Sequence, residues 1–323
     1  MKTFVSYVTV LVLLGLAPFV LSLFHINLLS EILILAIFAL SLNILVGYTG
    51  LVSLGHAAFF GVGAYTAALT AQNLSSNLFI TIGLAIICSL IVAALIGIFC
   101  MKVSGFYFLM LTLAFSQMIY SFVYQSTSLT GGSNGLSGIP RVSIGDFQFG
   151  NPVLIFYLIL AVFMLAYFGL RLFVQSPFGQ VLIGIRENET RVKSMGYNTG
   201  LYKYFAFIIA GAIGGLAGSL YTFFNGFIAP TDVYWTMSGA VLIMVLIGGA
   251  GTMLGPVLGA ALIVTMETVI SSYTNSWMLI IGATFIIFVI FFPKGLVGIG
   301  QSLYHLFLKN KRKGKVDDKS EAA

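Results

Sequence analysis

Gln175 to Lys203 reads QSPFGQVLIGIRENETRVKSMGYNTGLYK, a charged, water-compatible stretch set between two long apolar halves. Its reading decides the fold. Everything around it belongs to lipid, and this segment is the one place where a soluble machine could grip the chain. Within it Pro177 opens a short apolar-faced stretch (Phe178, Val181, Leu182, Ile185), followed by Arg186-Glu187-Asn188-Glu189. Glu187 with Arg191 and Glu189 with Lys193 are acid-before-base pairs at i,i+4, each worth a few tenths of a kcal/mol to an exposed helix. Gly196 stands where a helix C-cap needs positive φ. Spacing alone leaves two readings open, a solvated connector and a docking projection.

Outward from this segment the composition is that of a membrane protein. Hydrophobic residues make up 59% of the chain and charged residues 7%, against roughly 25% charged in a soluble domain, and mean hydropathy is +1.06. Apolar runs near the ~20 residues needed to cross a ~30 Å hydrocarbon core recur throughout. They predict spans near 4–23, 28–46, 57–73, 78–101, 106–124, 152–174, 204–223, 238–250, 257–273 and 278–292. The expected fold is therefore an all-α polytopic membrane protein of about ten transmembrane helices. It forms one transmembrane domain over residues 1–323, with the charged segment 175–203 and a basic tail 294–323.

Orientation follows from basic residues, which are retained on the cytoplasmic side near spans. Threading ten spans from an inside N-terminus places Lys2, Lys102, Arg171, Arg186, Arg191, Lys193, Lys203 and the seven basic residues of the tail inside, and only Arg141 outside. Both termini are then cytoplasmic. The net charge of +6 becomes an orientation signal with contact to anionic headgroups of the lipid bilayer. A nucleic-acid role would need a basic or aromatic soluble surface, which the chain does not offer. Lys2 followed by an apolar run superficially suggests a signal peptide, but the run exceeds a signal core of roughly 7–15 residues and no small-x-small site follows. It reads as a retained first helix interrupted by Pro18. Cys88 and Cys100, in one predicted span, read as packing residues and not as a disulfide framework or metal site.

A second segment carries chemistry. Gly47, Gly50, Gly55, Gly61 and Gly63 interrupt an apolar run together with Asn43, Tyr48, Thr49, Ser53 and His56. Irregular backbone at membrane depth survives only when buried in protein or lining a polar cavity, and broken helices build substrate sites in transporters. Residues 47–56 thus read either as part of a translocation pathway or as close packing and a turn. Small-x-x-x-small spacing assigns Gly211/Gly215, Gly214/Gly218 and Gly251/Gly255/Gly259 to helix packing. A partial echo, Leu-x-Gly-x-x-Gly at 45–50 and 246–251, is too short to be a repeat. Glu31 and Glu267 map near the outer ends of their helices, with structural or vestibule roles, and Asn43 and Gln117 read as inter-helix hydrogen-bond partners. The external loop Ser126 to Asn151, rich in turn formers, reads as ordered but irregular.

Enzyme readings fail on context. Gly131-Gly132-Ser133-Asn134-Gly135 matches Gly-x-Ser-x-Gly formally but lacks the strand and helix of a nucleophile elbow. An intramembrane serine protease needs a later histidine as base, and the only one is His305, in the tail. No Gly-x-x-x-x-Gly-Lys-Ser/Thr phosphate loop occurs.

Gly179 to Asn198 (GQVLIGIRENETRVKSMGYN) resembles the cytoplasmic coupling segment of bacterial branched-chain amino acid ABC permeases of the LivM type. So do Ser41 to Ala68 (SLNILVGYTGLVSLGHAAFFGVGAYTAA), Thr130 to Pro140 (TGGSNGLSGIP), and Leu246 to Gly251 with Leu254-Gly255-Pro256. The resemblance covers about residues 30 to 300. It departs at Gln180, where the family usually has a basic residue, and at Thr190, Arg191, Val192 and Lys193, where it has small ones. The resemblance implies a type II-like ABC importer permease in the bacterial cytoplasmic membrane, carrying Leu, Ile or Val. It implies four partners: a homologous LivH-type permease subunit, two cytoplasmic ATPase subunits and an extracytoplasmic substrate-binding protein. The chain itself would need no cofactor, ATP being bound by the ATPases. On this resemblance Phe178, Gly179, Arg186, Glu187, Asn188, Glu189 and Gly196 are the ATPase-coupling residues, and Asn43, Gly47, Gly50, Ser53, Gly55 and His56 the pathway residues. The alternatives are a permease of the same family for urea or another small polar solute, and a stand-alone secondary carrier or channel.

Overall fold

The computed structural model describes residues 15–145, 147–274, 276–292 and 295–298. Lys2, most of the predicted first span and nearly all of the basic tail lie outside the described residues. The remaining nine spans each correspond to a helix: α1 Leu23–Asn43, α2 His56–Asn73, α3 Leu78–Cys100, α4 Phe106–Gln125, α5 Pro152–Gln175, α7 Thr199–Asn225, α8 Trp235–Gly248, α9 Gly255–Ser271 and α10 Trp277–Phe291. The charged segment forms α6, Pro177–Ser194, between α5 and α7. The protein is an all-α polytopic membrane bundle.

Its helices start where the chain supplies caps. Asn77 and Asn151 accept from the amides of Phe79 and Val153 at 3.0 and 3.1 Å, and Pro152 and Pro177 open their helices where no amide donor is needed. Residues 15–20 are helical and the break falls at 21–22, just after Pro18, so α1 begins at Leu23 and not near 28. Among the described residues five helices are long and apolar enough to cross a membrane by length and composition: α1 with the π-helical extension Ile44–Thr49, α3, α4, α5 and α7. α8, α9 and α10, of 14, 17 and 15 residues, rise about 21 to 26 Å at 1.5 Å per residue, less than a full hydrocarbon core.

α1 is the hub, with 89% of its apolar window buried. It packs against α5, α7, α8 and α9, while α2, α3 and α7 form a tight trio beside it. Lipid tails are as apolar as leucine, so such contacts are driven by close fit and not by water exclusion. That fit is supplied by small residues: a Cβ on Gly63 would overlap the backbone of Gly215, and one on Gly218 the backbone of Phe60. The loop 126–151, expected to be ordered but irregular, carries short regular elements. A helical turn at Thr127–Thr130 is followed by strand β1, Leu136–Ser137, and by a hairpin of β2, Ser143–Ile144, with β3, Phe147–Gln148. β1 pairs antiparallel with β4, Phe227–Ile228, in the register Leu136 to Ile228, which ties this loop to the turn after α7.

Candidate functional site

The segment 44–55 and the loop 249–254 interrupt the bundle at the same end, and α6 lies against them. At the end of α1 the backbone widens into a π-helix, Ile44–Thr49, closed by Gly50 at φ +75°. The Thr49 hydroxyl donates to the Ile44 carbonyl at 2.6 Å. Single π-turns inside α-helices concentrate at functional sites, and here the widened turn frees the Gly47 carbonyl as an acceptor. Asn43, one residue before it, is buried and pairs with the other break at both ends of its amide. Its Nδ2 donates to the Thr252 carbonyl at 2.9 Å, and its Oδ1 accepts from the Gly251 amide at 2.9 Å. The inter-helix bond expected of Asn43 is instead one from the end of α1 to the loop between α8 and α9, across 208 residues of sequence.

Arg186 of α6 joins the two. Its guanidinium Nη1 donates to the Gly47 carbonyl and sits against Gly251, while its Cγ lies over Gly50. Residues expected to couple and residues expected to line a path, separated by well over a hundred positions in sequence, therefore meet at one side chain.

Ser53, Gly55 and His56 are fully enclosed, each bonded or packed. Ser53 Oγ accepts from the Gly55 amide at 3.2 Å, and the Leu54 amide donates to Thr112 Oγ1 at 3.3 Å. The Ala57 amide, one of the orphan donors at the start of α2, donates to Ser238 Oγ at 2.8 Å. Ser41 Oγ donates to the Phe38 carbonyl at 2.7 Å, so it accepts from His56 Nε2 at 2.8 Å. That assigns the proton to Nε2 and leaves His56 Nδ1 without a partner. His56 stacks on Phe38 with ring centroids 5.4 Å apart. Of the six pathway residues only Gly50 is exposed. The inter-helix bond expected of Gln117 is not made by its Nε2, which is buried without a hydrogen-bond partner among the described residues.

α6 is built as a bracket. Ser176 caps it, accepting from the Gly179 amide at 3.3 Å. Gly179 sits so tightly under α5 that a Cβ would stand 2.6 Å from the Phe173 carbonyl. The Phe178 ring packs against Phe173 and Tyr202, at 5.3 and 4.7 Å. Asn188 is extended, at φ −160° and ψ +94°, and kinks the helix. Its Oδ1 accepts from the Arg191 amide at 2.9 Å, so it acts as N-cap to a second helical piece. The kink separates Glu187 from Arg191, and the i,i+4 ion pair expected between them does not form. That between Glu189 and Lys193 does, at 3.0 Å.

Glu189 is tied further than its sequence neighbours suggest. It also accepts from Lys203 at 2.5 Å and from Thr199 at 3.0 Å, both in α7. Burial pushes its carboxyl up, but these three donors outweigh it and hold the group at about 2. The second piece ends at Gly196, φ +90°, in the motif the sequence predicts: the Tyr197 amide donates to the Val192 carbonyl and the Gly196 amide to that of Lys193. Glu187, Asn188, Thr190 and Arg191 point outward, with Met195 69% and Tyr197 42% exposed. These two large apolar residues escape the sequence reading, because an apolar residue beside charges normally reads as packed.

The family model described as "Branched-chain amino acid transport system / permease component" matches residues 24–289. The chain is 28% identical over 303 residues to the high-affinity branched-chain amino acid transport system permease protein LivM of Salmonella typhimurium strain LT2, covering 87% of this chain and 71% of that protein. It is 28% identical over 313 residues to the protein of the same name from Escherichia coli strain K12, covering 90% and 74%. It is 28% identical over 286 residues to the probable branched-chain amino acid transport permease protein LivM of Methanocaldococcus jannaschii, covering 77% and 82%. No solved structure matches the chain.

Proposed function

The chain belongs to the branched-chain amino acid transport permease family, and on that premise we propose that it is the LivM-type membrane subunit of an ABC importer, moving leucine, isoleucine or valine across the bacterial cytoplasmic membrane. In this reading the whole chain is one permease domain with both termini in the cytoplasm. It pairs with a homologous LivH-type subunit, receives solute from an extracytoplasmic binding protein, and is driven by two cytoplasmic ATPase subunits that hold the ATP.

The observation that carries the reading is the contact of Arg186 with Gly47. A transporter driven by a separate ATPase needs a projection whose movement is felt by the membrane helices, and only contacts that differ between two states shift an equilibrium. α6 offers the ATPase Glu187, Asn188 and Arg191 on its outer side, and the turn after it adds the exposed Met195 and Tyr197, a mixture of charged and apolar groups of the kind protein interfaces use. On its inner side it presents Arg186 to the junction of two broken helices. Tilting α6 then withdraws or inserts one guanidinium, which alters the hydrogen bonding of both breaks together. The backbone of 44–55, held by the Leu54 bond to Thr112 and flanked by the Asn43 bond to Gly251 and the Ala57 bond to Ser238, acts as the inner gate of the path. A stand-alone carrier gives no use for this bracket.

The test is Arg186→Ala in the reconstituted four-subunit complex. The expected result is normal insertion and co-purification of the ATPases, with substrate-stimulated ATP hydrolysis and leucine uptake both reduced at least tenfold. Unchanged stimulation and uptake would return the stand-alone carrier to first place.

A further inference from the structure

Beyond the inner ends of α3 and α7 lies a cleft that takes no part in the contacts between the two breaks. The helices are locked together just before it. The Tyr204 hydroxyl donates to the Ala94 carbonyl at 3.1 Å, and the Tyr204 ring is so close to Gly97 that a Cβ there would stand 2.9 Å from it. Past that point α3 ends and α6 folds back over the start of α7. A space of about 540 Å³ opens between Met101, Glu189, Lys193, Asn198, Thr199 and Lys203.

The cleft carries excess positive charge. Glu189 pairs with both Lys193 and Lys203, and one carboxylate neutralises only one of two ammonium groups. Lys203 is committed to the tether, with 12% of its side chain exposed, whereas Lys193 is 60% exposed and can turn to a ligand without loosening α6 from α7. Lys102 follows Met101 directly, its ammonium 6.0 Å from the centre of the Phe99 ring, so a second cation stands near the rim.

The flanks of the cleft identify the kind of anion. Ile98 and Phe99 at the end of α3, and Leu201 and Phe205 at the start of α7, are all exposed, and Leu201 and Phe205 lie one turn apart on one face of their helix. In a membrane bundle such side chains meet acyl chains. A basic cleft next to them fits a molecule with an anionic head and apolar tails, whereas a free phosphate would leave the apolar flank without a role.

We propose that this cleft holds the headgroup phosphate of an anionic phospholipid of the inner leaflet, its acyl chains lying along Ile98, Phe99, Leu201 and Phe205. Basic pockets between membrane helices on the cytoplasmic side bind such headgroups. Lys193 and Lys102 reach the phosphate from their flexible stems, while Glu189 stays with Lys203 and Thr199. The lipid then joins the end of α3 to α6 and α7 and braces α6 from the side away from Arg186. The inference depends on the cleft lying at the inner membrane surface and not on the identity of the cargo or the ATPase.

The experiment uses the purified full chain in detergent, offered phosphatidylglycerol and phosphatidylcholine of the same acyl chains, with bound lipid counted by native mass spectrometry. The expected result is a preference for phosphatidylglycerol that falls about fivefold in Lys193→Gln, falls further when Lys102→Gln is added, and is kept in Lys193→Arg. Arg171→Gln removes an equal charge from α5, which does not line the cleft, and is expected to leave the preference intact. The Glu189 bonds to Lys203 and Thr199 survive in Lys193→Gln, so its melting temperature should stay close to that of the unaltered chain and a lost preference reports the site. Equal binding of the two lipids by the unaltered chain overturns the proposal. So does a preference that Lys193→Gln and Lys102→Gln together leave unchanged, or that Arg171→Gln lowers as much, since the lipid then reads overall charge. Displacement of the bound lipid by millimolar inorganic phosphate also overturns it, and makes the cleft a site for a free anion.

Discussion

The two glycine breaks share a pattern, Leu-x-Gly-x-x-Gly at 45–50 and at 246–251, and they solve the same steric problem with different surroundings. In both, the third position is a glycine at a point of close approach. A Cβ on Gly47 would collide with the Asn43 amide and the Gly251 backbone, and one on Gly248 with the Gly255 backbone. In both, the last position is a left-handed glycine, Gly50 at +75° and Gly251 at +84°. The difference is what lies over that glycine. Gly50 is exposed and meets only the aliphatic stem of Arg186, whereas Gly251 meets its guanidinium and the Gly47 carbonyl as well. Arg186 thus touches both breaks, the first through its stem and its bond to the Gly47 carbonyl, the second through its guanidinium. A push on α6 therefore reaches both at once, and more tightly at Gly251.

The largest expected effect is on the link between the breaks. Asn43→Leu keeps the branched shape but swells it with methyls and strands the half-buried Gly251 amide and Thr252 carbonyl, at up to about 1–3 kcal/mol each for a polar group left unpaired away from water. A fall in melting temperature of the purified chain much larger than that of a lipid-facing substitution such as Ile91→Ala is the expected outcome. A fall no larger than that would mean the breaks stand independently.

Next comes a test of the asymmetry itself. Gly50→Ala and Gly251→Ala impose the same left-handed penalty, about 1–2 kcal/mol. At Gly251 the new methyl also stands 2.5 Å from the Arg186 guanidinium and 2.9 Å from the Gly47 carbonyl, whereas at Gly50 the nearest atom is Arg186 Cγ at 3.3 Å. Gly251→Ala is thus expected to lower the melting temperature more than Gly50→Ala and, by displacing Arg186, to depress substrate-stimulated ATP hydrolysis further. Equal losses at the two sites would make the breaks equivalent.

These contacts mark where sequence reasoning reaches and where it stops. The helices were legible because each is a run of apolar residues whose length is set by the bilayer, and Gly196 because a helix end with its flanking residues is local. The Glu189 to Lys193 pair was legible from its spacing of four. Its partner pair between Glu187 and Arg191 failed because Asn188 takes the extended conformation, a choice its short amide makes possible by capping the next turn. Nothing local announces that Asn43 bonds Gly251 or that Arg186 reaches Gly47, since those depend on how α1, α6 and α8 assemble. The echo at 45–50 and 246–251 was visible as letters; that its two copies touch is a tertiary fact.

The smallest effect is expected at the tether that touches neither break. Glu189 fastens α6 to α7 through Lys203 and Thr199 and braces α6 through Lys193. Burial opposes its charge, yet the donors hold it at about 2 against an ordinary 4.5. A carboxylate whose folded value is depressed stabilises the fold fully above its unfolded value, and the contribution disappears as pH falls through the folded one. The melting temperature lost in Glu189→Gln should therefore be constant near pH 6–7, shrink as pH drops below 4.5, and approach zero near 2. Its size should be modest, because the side chain is 33% exposed and ion pairs in reach of water contribute about 0–1 kcal/mol. Substrate-stimulated ATP hydrolysis should change less than in Gly251→Ala, since Arg186 keeps its place on Gly47. If Glu189→Gln instead uncouples as strongly as Gly251→Ala, the path of force runs through α7 as well as through the two breaks.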